Sequence, residues 1–291
     1  MAGRGQYFRR ALQEEQPLQI AGAVNAFSAL LAERAGFQAL YLSGAGVANV
    51  SYGLPDLGMT TLDSVLQDAH RIIAAVDLPL LVDCDTGWGS DLMVGRTVDC
   101  MARAGVAAIH LEDQGFHKRC GHRPNKTLVS VDEMCARLRA ADHARQKHDI
   151  FLIARTDALA VEGVDAALER ALAYQSVGVD ALFLEAAESF DVYRQFSRVL
   201  DIPLLANMTE FGKTPLADTR SLGDHGVKMV LYPLSAQRAM AHAAEEVYRA
   251  IRSEGSQQTV LSQMQTREEL YEVLNYHRFE QQLNSLEELD A

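Results

Sequence analysis

Eight short apolar segments recur along the chain, and their number constrains the fold more than any other feature of the sequence. Each segment is rich in aliphatic residues, and enough residues for a helix separate successive segments. Apolar strands that alternate with helices predict a parallel sheet buried on both faces. Eight such units predict a closed (β/α)8 TIM barrel, with a doubly wound open sheet as the alternative. The segments are residues 18–24, 39–43, 78–83, 107–112, 151–155, 181–185, 203–207 and 229–233.

The rest of the pattern favours the barrel and a single domain over residues 1–291. No G-x-G-x-x-G motif or phosphate-binding loop follows any of the strands, as an open nucleotide-binding sheet would require. No low-complexity linker marks a second domain. Residues 235–291 contain more helical sequence than one barrel helix needs. We therefore expect this extension to pack against a neighbouring subunit, with coverage of its own barrel as the alternative.

Composition and charge limit the classes of function. The chain has 291 residues, of which 48% are hydrophobic, and a formal net charge of −12, which argues against nucleic-acid binding. No apolar stretch is long enough to span a bilayer, and the first residues lack the apolar core of a secretion signal. The cysteines lack C-x-x-C spacing and are predicted to be free thiols. These features predict a soluble cytoplasmic protein. The cysteines are Cys84, Cys100, Cys120 and Cys135.

Polar residues stand at the carboxyl ends of six predicted strands. In parallel barrels the loops at this end carry the chemistry. A single Asp or Ser in such a position is often only a helix N-cap, but core packing does not require polar residues on so many strands. These side chains therefore predict a site at the carboxyl end of the barrel. They are Ser43, Asp83, Asp85, Glu112, Arg155, Glu185 and Asn207.

The sequence Asp83-Cys84-Asp85 indicates a metal site. Residues two apart on a strand point to the same side, so both carboxylates are expected to converge while Cys84 turns away. Converging carboxylates repel each other unless a cation lies between them, and oxygen ligands suit Mg²⁺ or Mn²⁺ better than zinc. Glu112 on the next strand could hold a metal-bound water. His110 is expected to be a hydrogen-bonded residue inside the barrel.

A short basic loop follows the fourth strand. Residues 117–126, here named the cysteine loop, read His-Lys-Arg-Cys-Gly-His-Arg-Pro-Asn-Lys in an otherwise acidic chain. Positive charge around Cys120 would lower the cost of forming a thiolate and attract carboxylate substrates. A solvated surface turn is the alternative for an isolated basic run. Its position over the polar end of the barrel favours a role in the site.

Four motifs of the chain together resemble the isocitrate lyase and phosphoenolpyruvate mutase superfamily. They are Tyr-Leu-Ser-Gly at 41–44, Asp-x-Asp at 83–85, Lys-Arg-Cys-Gly-His at 118–122 and Asn-x-Thr-Glu-Phe-Gly at 207–212. The resemblance extends nearly end to end, and the Lys-Arg-Cys-Gly-His segment is specific to the lyase branch. One departure is that residues 86–95 are one residue shorter than in relatives, which puts no ligand in doubt.

The resemblance implies a helix-swapped barrel in a homotetramer and Mg²⁺-dependent cleavage of 2-methylisocitrate to pyruvate and succinate, in propionate catabolism through the methylcitrate cycle. It implies Mg²⁺ (or Mn²⁺) bound through Asp85 and, partly through water, Asp83 and Glu112. Cys120 is predicted to be the general acid, and Tyr41 is a candidate base. The resemblance implies substrate contacts from Ser43, Gly44, Ala45, Asp56, Lys118, Gly121, His122, Arg155, Glu185, Asn207, Met208, Thr209, Arg238 and Arg267.

Substrate choice within the lyase branch depends on three apolar positions. Isocitrate lyases carry bulkier or more polar residues at the positions of Phe183, Leu231 and Pro233, so this chain is expected to accommodate an additional methyl group. One methyl-sized contact discriminates by only about 1–3 kcal/mol, so minor activity on isocitrate is also expected.

Three alternatives remain open at the level of the sequence. The chain could be another enzyme of the superfamily, such as an isocitrate lyase or an oxaloacetate decarboxylase. It could be a dicarboxylate-binding sensor without catalysis. It could also be a cysteine hydrolase with Cys120 as nucleophile, although no acidic partner near His122 is evident from the sequence.

Overall fold

The computed structural model describes residues 3–115 and 117–289, and of residues 287–289 only the backbone. Eight parallel strands pair in sequence order and close into a barrel, so the fold prediction is confirmed. The last strand pairs with the first, from Leu18 opposite Met229 to Ala21 opposite Tyr232. The strands are β1 (Leu18–Gly22), β2 (Ala39–Leu42), β3 (Leu80–Asp83), β4 (Ala108–Glu112), β5 (Phe151–Thr156), β6 (Ala181–Leu184), β7 (Leu204–Asn207) and β8 (Val227–Tyr232).

Helices follow the strands and enclose the barrel. Glycine ends two of the barrel helices in the left-handed region, at Gly105 (φ 91°) and Gly178 (φ 101°), where other residues would be strained. The helices are α1 (Gly5–Glu14), α2 (Ala26–Arg34), α3 (Gly44–Gly46), α4 (Leu62–Ala75), α5 (Asp91–Ala104), α6 (Val131–Arg145), α7 (Val164–Val177), α8 (Phe190–Ser197), α9 (Thr219–Asp224), α10 (Ser235–Glu254), α11 (Arg267–Leu274) and α12 (Tyr276–Leu289).

Two apolar layers stabilise the barrel. The outer layer lies between strands and helices, and the inner layer fills the barrel. At the amino-terminal end of the strands, Phe8 of α1 is fully buried and packs against Phe151, with ring centroids 5.1 Å apart. α1 covers this end of the barrel, and the site residues predicted on the strands lie at the opposite, carboxyl ends.

The C-terminal extension is largely exposed in the single chain. Beyond β8 it comprises α10, a 3-10 segment (Gln258–Gln263), α11 and α12. Of the side chains described in these three α-helices, only Ala250 is buried. Several large apolar residues are exposed instead, among them Tyr248 (73%) and Phe279 (64%). Among the described residues, no helix has the length and apolar character needed to cross a membrane.

Candidate active site

Three buried carboxylates converge at the carboxyl ends of β3 and β4. Asp83, Asp85 and Glu112 each offer an oxygen, and these oxygens all lie within 4.8 Å of one another. The sequence predicts that these carboxylates converge. Asp83 and Asp85 do so, but not because they alternate along one strand. β3 ends at Asp83, and Asp85 turns back because its backbone is left-handed (φ 47°). Its N–H donates to Asp83 Oδ1 (3.0 Å), while Cys84 packs in the outer apolar layer.

The electrostatics of this cluster fit a bound divalent cation. Both oxygens of Glu112 are buried without a hydrogen-bond partner among the described residues. Burial raises the pKa of Glu112 well above its usual range and raises the pKa of Asp85 to about 6. Burial also disfavours the Asp83 carboxylate, but the positive charges facing it outweigh this effect and hold the pKa of Asp83 below its usual value. Three buried, all-oxygen donors suit Mg²⁺ or a similar hard cation.

Lys118 of the cysteine loop reaches into this cluster. Its ammonium group contacts Asp85 and lies 2.7 Å from Asp56 Oδ1. Burial disfavours the charged lysine, yet the surrounding carboxylates raise the pKa of Lys118 well above its usual value. The predicted residues Asp56 and Lys118 are therefore both brought to the carboxylates.

Tyr41 and His110 form a buried pair beside Asp83. The Tyr41 hydroxyl lies 3.0 Å from His110 Nε2 and 3.4 Å from Asp83 Oδ2, and the two rings stack. Burial and, next, the charge of Asp83 raise the pKa of Tyr41 well above 10. Burial lowers the pKa of His110 to about 4, so that its imidazole is neutral at pH 7. His110 lies inside the barrel as a hydrogen-bonding residue, as the sequence predicts.

Arg155 and its neighbours form the second half of the site. Arg155 Nε lies 3.4 Å from Glu112 Oε2, and its Nη2 lies 4.0 Å from Glu185 Oε1. Asn207 donates to Glu185 Oε2 (3.3 Å), and His122 Nε2 lies 3.0 Å from Glu185 Oε1. His122 Nδ1 accepts the backbone N–H of Lys213 (3.1 Å), which places the ring proton on Nε2, facing Glu185.

The cysteine loop packs over the mouth of the barrel. A Cβ added to Gly121 would collide with the side chains of Glu185 and Arg155, so only glycine fits at this point of contact. Glu185 does lie beside His122, so the acidic neighbour that the sequence did not reveal is present. The half-buried thiol of Cys120 is thus held over the carboxyl ends of β5 and β6.

The surroundings of Cys120 favour the protonated thiol that the predicted general acid requires. Burial raises the pKa of the Cys120 thiol above its usual value, and the carboxylates of Glu185 and Asp56 act in the same direction. The lysines at the two ends of the cysteine loop are paired, Lys118 with Asp56 and Asp85, and Lys126 with Asp157. A thiol that stays protonated at neutral pH is suited to proton donation rather than to nucleophilic attack.

The predicted specificity residues line the interior of the barrel near the site. Phe183 and Leu231 belong to the inner apolar layer, and Pro233 is buried just after β8. The Phe183 ring meets His110 edge-on at 5.3 Å, and the Arg155 guanidinium lies over it at 5.2 Å. An apolar wall therefore stands directly beside the charged groups.

The other predicted residues lie at different distances from the cluster of Asp83, Asp85 and Glu112. Ser43, Gly44 and Ala45 form the turn into α3 at the end of β2, and the Gly44 N–H donates to Asp83 Oδ2 (3.1 Å). The Thr209 methyl group lies near Gly212 and the His122 ring, so Thr209 borders the loop.

Three predicted substrate contacts are not brought to the centre by this chain alone. The Met208 side chain packs in the outer apolar layer, so only its backbone faces the barrel mouth. Arg238 lies 3.6 Å from Glu210 and is 46% exposed. Arg267 is exposed at the start of α11 and makes no ion pair or side-chain hydrogen bond with any other residue of the described chain. Both arginines are in the C-terminal extension, residues 235–291.

Three buried residues of the site were not singled out from the sequence. Asp157 follows the predicted Arg155 by two positions and accepts from its Nε (3.0 Å). Lys126 pairs with Asp157, and Gln114 binds the backbone of Arg119. Gln114 and Asp157 directly follow the polar residues at the ends of β4 and β5, and this position in the sequence could have identified them as site residues.

Comparisons with known proteins agree with this geometry. Residues 8–252 match the protein family described as phosphoenolpyruvate phosphomutase. The chain is 58% identical to the 2-methylisocitrate lyase of Salmonella typhimurium over 97% of this chain and 96% of that one. A crystal structure of 2,3-dimethylmalate lyase is similar, with a TM-score of 0.89 and 35% identity over 97% of this chain and 94% of that one. A structure of oxaloacetate acetylhydrolase has a TM-score of 0.90 at 32% identity, covering 98% and 97%.

The solved structures share the fold of this chain, and the curated relatives at 54–58% identity are 2-methylisocitrate lyases, which are carbon–carbon lyases. The predicted superfamily and enzyme class are thereby confirmed. The chain belongs to the phosphoenolpyruvate mutase and isocitrate lyase superfamily.

Proposed function

We propose that this enzyme cleaves 2-methylisocitrate to pyruvate and succinate with the help of Mg²⁺. The observation that carries the proposal is the placement of Cys120, a protonated thiol, in a loop packed over the Asp83, Asp85 and Glu112 carboxylates. The high identity to 2-methylisocitrate lyases over nearly the whole chain supports the same substrate. The cytoplasmic location stays a prediction.

Asp83, Asp85 and Glu112 are the residues that would hold the ion. Both oxygens of Glu112 lack a hydrogen bond within the described part of the chain, and the pKa values of Glu112 and Asp85 are raised by burial even with Lys118 and Arg155 nearby, so the carboxylates have room for a further positive charge. Bound there, Mg²⁺ would supply electrostatic stabilisation of negative charge on the hydroxyl oxygen of the substrate. The choice of Mg²⁺ over Mn²⁺ is part of the proposal.

The hydroxyl proton of the substrate leaves through Tyr41 in this account. The raised pKa of Tyr41 makes a free phenolate costly. The neutral His110, however, stands 3.0 Å behind the Tyr41 hydroxyl and can accept its proton as Tyr41 takes one from the substrate. Tyr41 then remains the group that meets the hydroxyl, and His110, whose pKa is lowered by burial, holds the proton only transiently.

Cys120 supplies the proton that completes the reaction. Cleavage of the carbon–carbon bond leaves an electron pair on a carbon of succinate, adjacent to a carboxylate. At this end of the site Arg155 provides positive charge, and His122 provides a hydrogen-bond donor through Nε2. The Cys120 thiol, held beside them by Gly121, protonates the carbanion, and loop closure excludes water from it.

The protonated thiol of Cys120 separates this proposal from two of its alternatives, and product analysis separates it from a third. The raised pKa of Cys120 disfavours a cysteine hydrolase, which needs a thiolate nucleophile. A binding sensor has no use for a protonated thiol enclosed beside an arginine and a carboxylate cluster. An enzyme that decarboxylates oxaloacetate would release carbon dioxide rather than succinate, so product analysis separates that alternative.

The substrate preference gives the first test. Because Phe183 and Leu231 form an apolar wall at the site, we expect kcat/KM for 2-methylisocitrate to exceed that for isocitrate by about 10- to 200-fold. The measurement is a coupled assay of both substrates with and without Mg²⁺. Equal kcat/KM values, or a preference for isocitrate, would contradict the assignment of the methyl pocket.

We also propose that residues 235–291 pack against a neighbouring subunit in a helix-swapped homotetramer. Along α12 the apolar side chains of Tyr276, Phe279, Leu283 and Leu286 recur at helical spacing, and all are more than 40% exposed. A helix stripe of this size normally lies in an interface.

The interface proposal predicts that charged side chains introduced on α12 reduce the mass of the assembly. Phe279→Glu combined with Leu283→Glu should convert the assembly to smaller species in sedimentation experiments, because two charges would be buried unpaired. Gln281→Glu, on the same helix, should leave the mass unchanged. A wild-type protein that sediments as a monomer would contradict the proposal directly.

A further inference from the structure

We propose that Gln114 and Lys126 are positioning residues that fix the main chain on both sides of Cys120. The inference rests on the proposed function, in which Cys120 must meet a carbanion at a defined point. Gln114 holds the residue before the cysteine, and Lys126 holds the residue after it. We name these contacts the cysteine clamp.

The first half of the clamp is a reciprocal pair of hydrogen bonds. Gln114 Nε2 donates to the carbonyl oxygen of Arg119 (2.8 Å), and the Arg119 N–H donates to Gln114 Oε1 (2.9 Å). The Gln114 carboxamide therefore makes the same two hydrogen bonds with the Arg119 backbone that a residue of a neighbouring strand would make. The Gln114 side of both bonds is fully buried, although Arg119 itself is exposed, so water has limited access to them.

The second half of the clamp is an ammonium group. Lys126 Nζ donates to the carbonyl oxygen of Gly121 and to Asp157 Oδ1 (2.6 Å). Its side chain is 2% exposed, and that of Asp157 is fully buried. Burying such a pair costs desolvation energy that hydrophobic side chains of the same size would avoid, so the pair is poorly explained by stability alone.

The contacts of Asp157 connect the clamp to the substrate end of the site. Its Oδ2 accepts from Arg155 Nε (3.0 Å), and its Oδ1, which Lys126 contacts, lies 3.3 Å from Arg155 Nη2. The Asp157 N–H donates to Asp113 Oδ1 (2.9 Å), and Asp113 also accepts from Tyr174 (2.9 Å). Asp157 is thus rigidly held, and it sets the positions of Arg155 and of the cysteine loop together.

The base of the loop is secured independently of the clamp. Gln114 and Leu128 form an antiparallel bridge through their backbones, and the Gly115 N–H donates to the Thr127 carbonyl (2.8 Å). Removing the Gln114 carboxamide or the Lys126 ammonium group should therefore leave the loop attached while Cys120 loses its fixed position. Asp157 would keep Arg155 as its partner, so the fold should survive the loss of Lys126.

Replacing either side chain by methionine tests the clamp. For Gln114→Met and Lys126→Met we expect kcat on 2-methylisocitrate to fall by about 10- to 100-fold, with KM within about threefold, because proton donation is misplaced. The rate at which iodoacetamide alkylates Cys120 in the Mg²⁺-loaded enzyme should rise about tenfold as the thiol becomes accessible. The controls are Gln146→Met and Lys147→Met, two exposed positions that should behave as wild type.

The outcomes separate a positioning role from a structural one. Lys126→Arg, which keeps the donor and the charge, should restore most of kcat and the slow alkylation. Unchanged alkylation of Cys120 in both methionine variants would overturn the clamp, as would faster alkylation with unchanged kcat. Equal acceleration at the buried Cys84 and Cys135 would mean general loosening and would also overturn it. Alkylation needs no turnover, so it decides the clamp even if wild type fails to cleave 2-methylisocitrate.

Discussion

Cys120→Ser is expected to lower kcat on 2-methylisocitrate by about 10³-fold while Mg²⁺ and succinate still bind. A serine hydroxyl has a far higher pKa than a thiol, so it is a poor proton donor to the carbanion, and general acids contribute about 10²- to 10⁴-fold to rate. The two side chains are similar in size, so the loop should still pack on Glu185 through Gly121. Steady-state kinetics and calorimetric binding of Mg²⁺ and succinate make the measurement.

A matched control is available on another part of the molecule. Cys100, a half-buried free thiol on α5, should tolerate the change to serine with kcat near that of wild type. If Cys120→Ser retains near-normal turnover, the proton comes from elsewhere and the acid assignment is wrong. If it loses succinate binding altogether, the cysteine serves the shape of the loop rather than the proton transfer.

Asp85→Ala is expected to remove the response of activity to Mg²⁺ and to lower kcat/KM by about 10³-fold or more. The change deletes one of three converging carboxylates, and a catalytic cation contributes several kcal/mol of charge stabilisation. It also deprives Lys118 of its contact with Asp85 and leaves Asp56 as the partner of Lys118. Titration of activity and of ion binding with Mg²⁺ checks the prediction.

The comparison variant for this experiment is Asp201→Ala, which removes an exposed carboxylate before β7 and should leave the Mg²⁺ response unchanged. An Asp85→Ala enzyme with a normal Mg²⁺ midpoint would move the metal site away from β3 and β4. If the variant instead loses activity because it is unfolded, as a melting temperature far below that of wild type would show, Asp85 serves the fold.

The barrel was predictable because each strand is a separate aliphatic run that needs burial on both faces. The boundaries were less exact, since β2 ends at Leu42 and β6 at Leu184, one residue before the predicted ends. Ser43 and Glu185 therefore stand in the loops just past the strands. Their proximity to the site was still predicted correctly, because all strand ends point to the same mouth.

The site was predictable where a side chain follows directly from a strand, as for Asp83, Glu112 and Arg155. The ion pairs that set the charge around Cys120 could not be predicted in this way. The basic composition of the cysteine loop indicated free positive charge, but carboxylates from other parts of the chain pair with Lys118 and Lys126. The same long-range pairing hid the clamp residues, because their partners are distant strands or backbone atoms of a folded loop.

The origin of the hydrogen that succinate gains is the most direct test of the account. Cleavage transfers the electron pair of the broken bond to a succinate carbon, which then takes the proton of Cys120, a group that exchanges with solvent. In D₂O with Mg²⁺, wild-type enzyme should convert 2-methylisocitrate to succinate that carries one deuterium by mass spectrometry, and to pyruvate that carries none when trapped as it forms. The absence of succinate, or succinate without deuterium, would contradict the account.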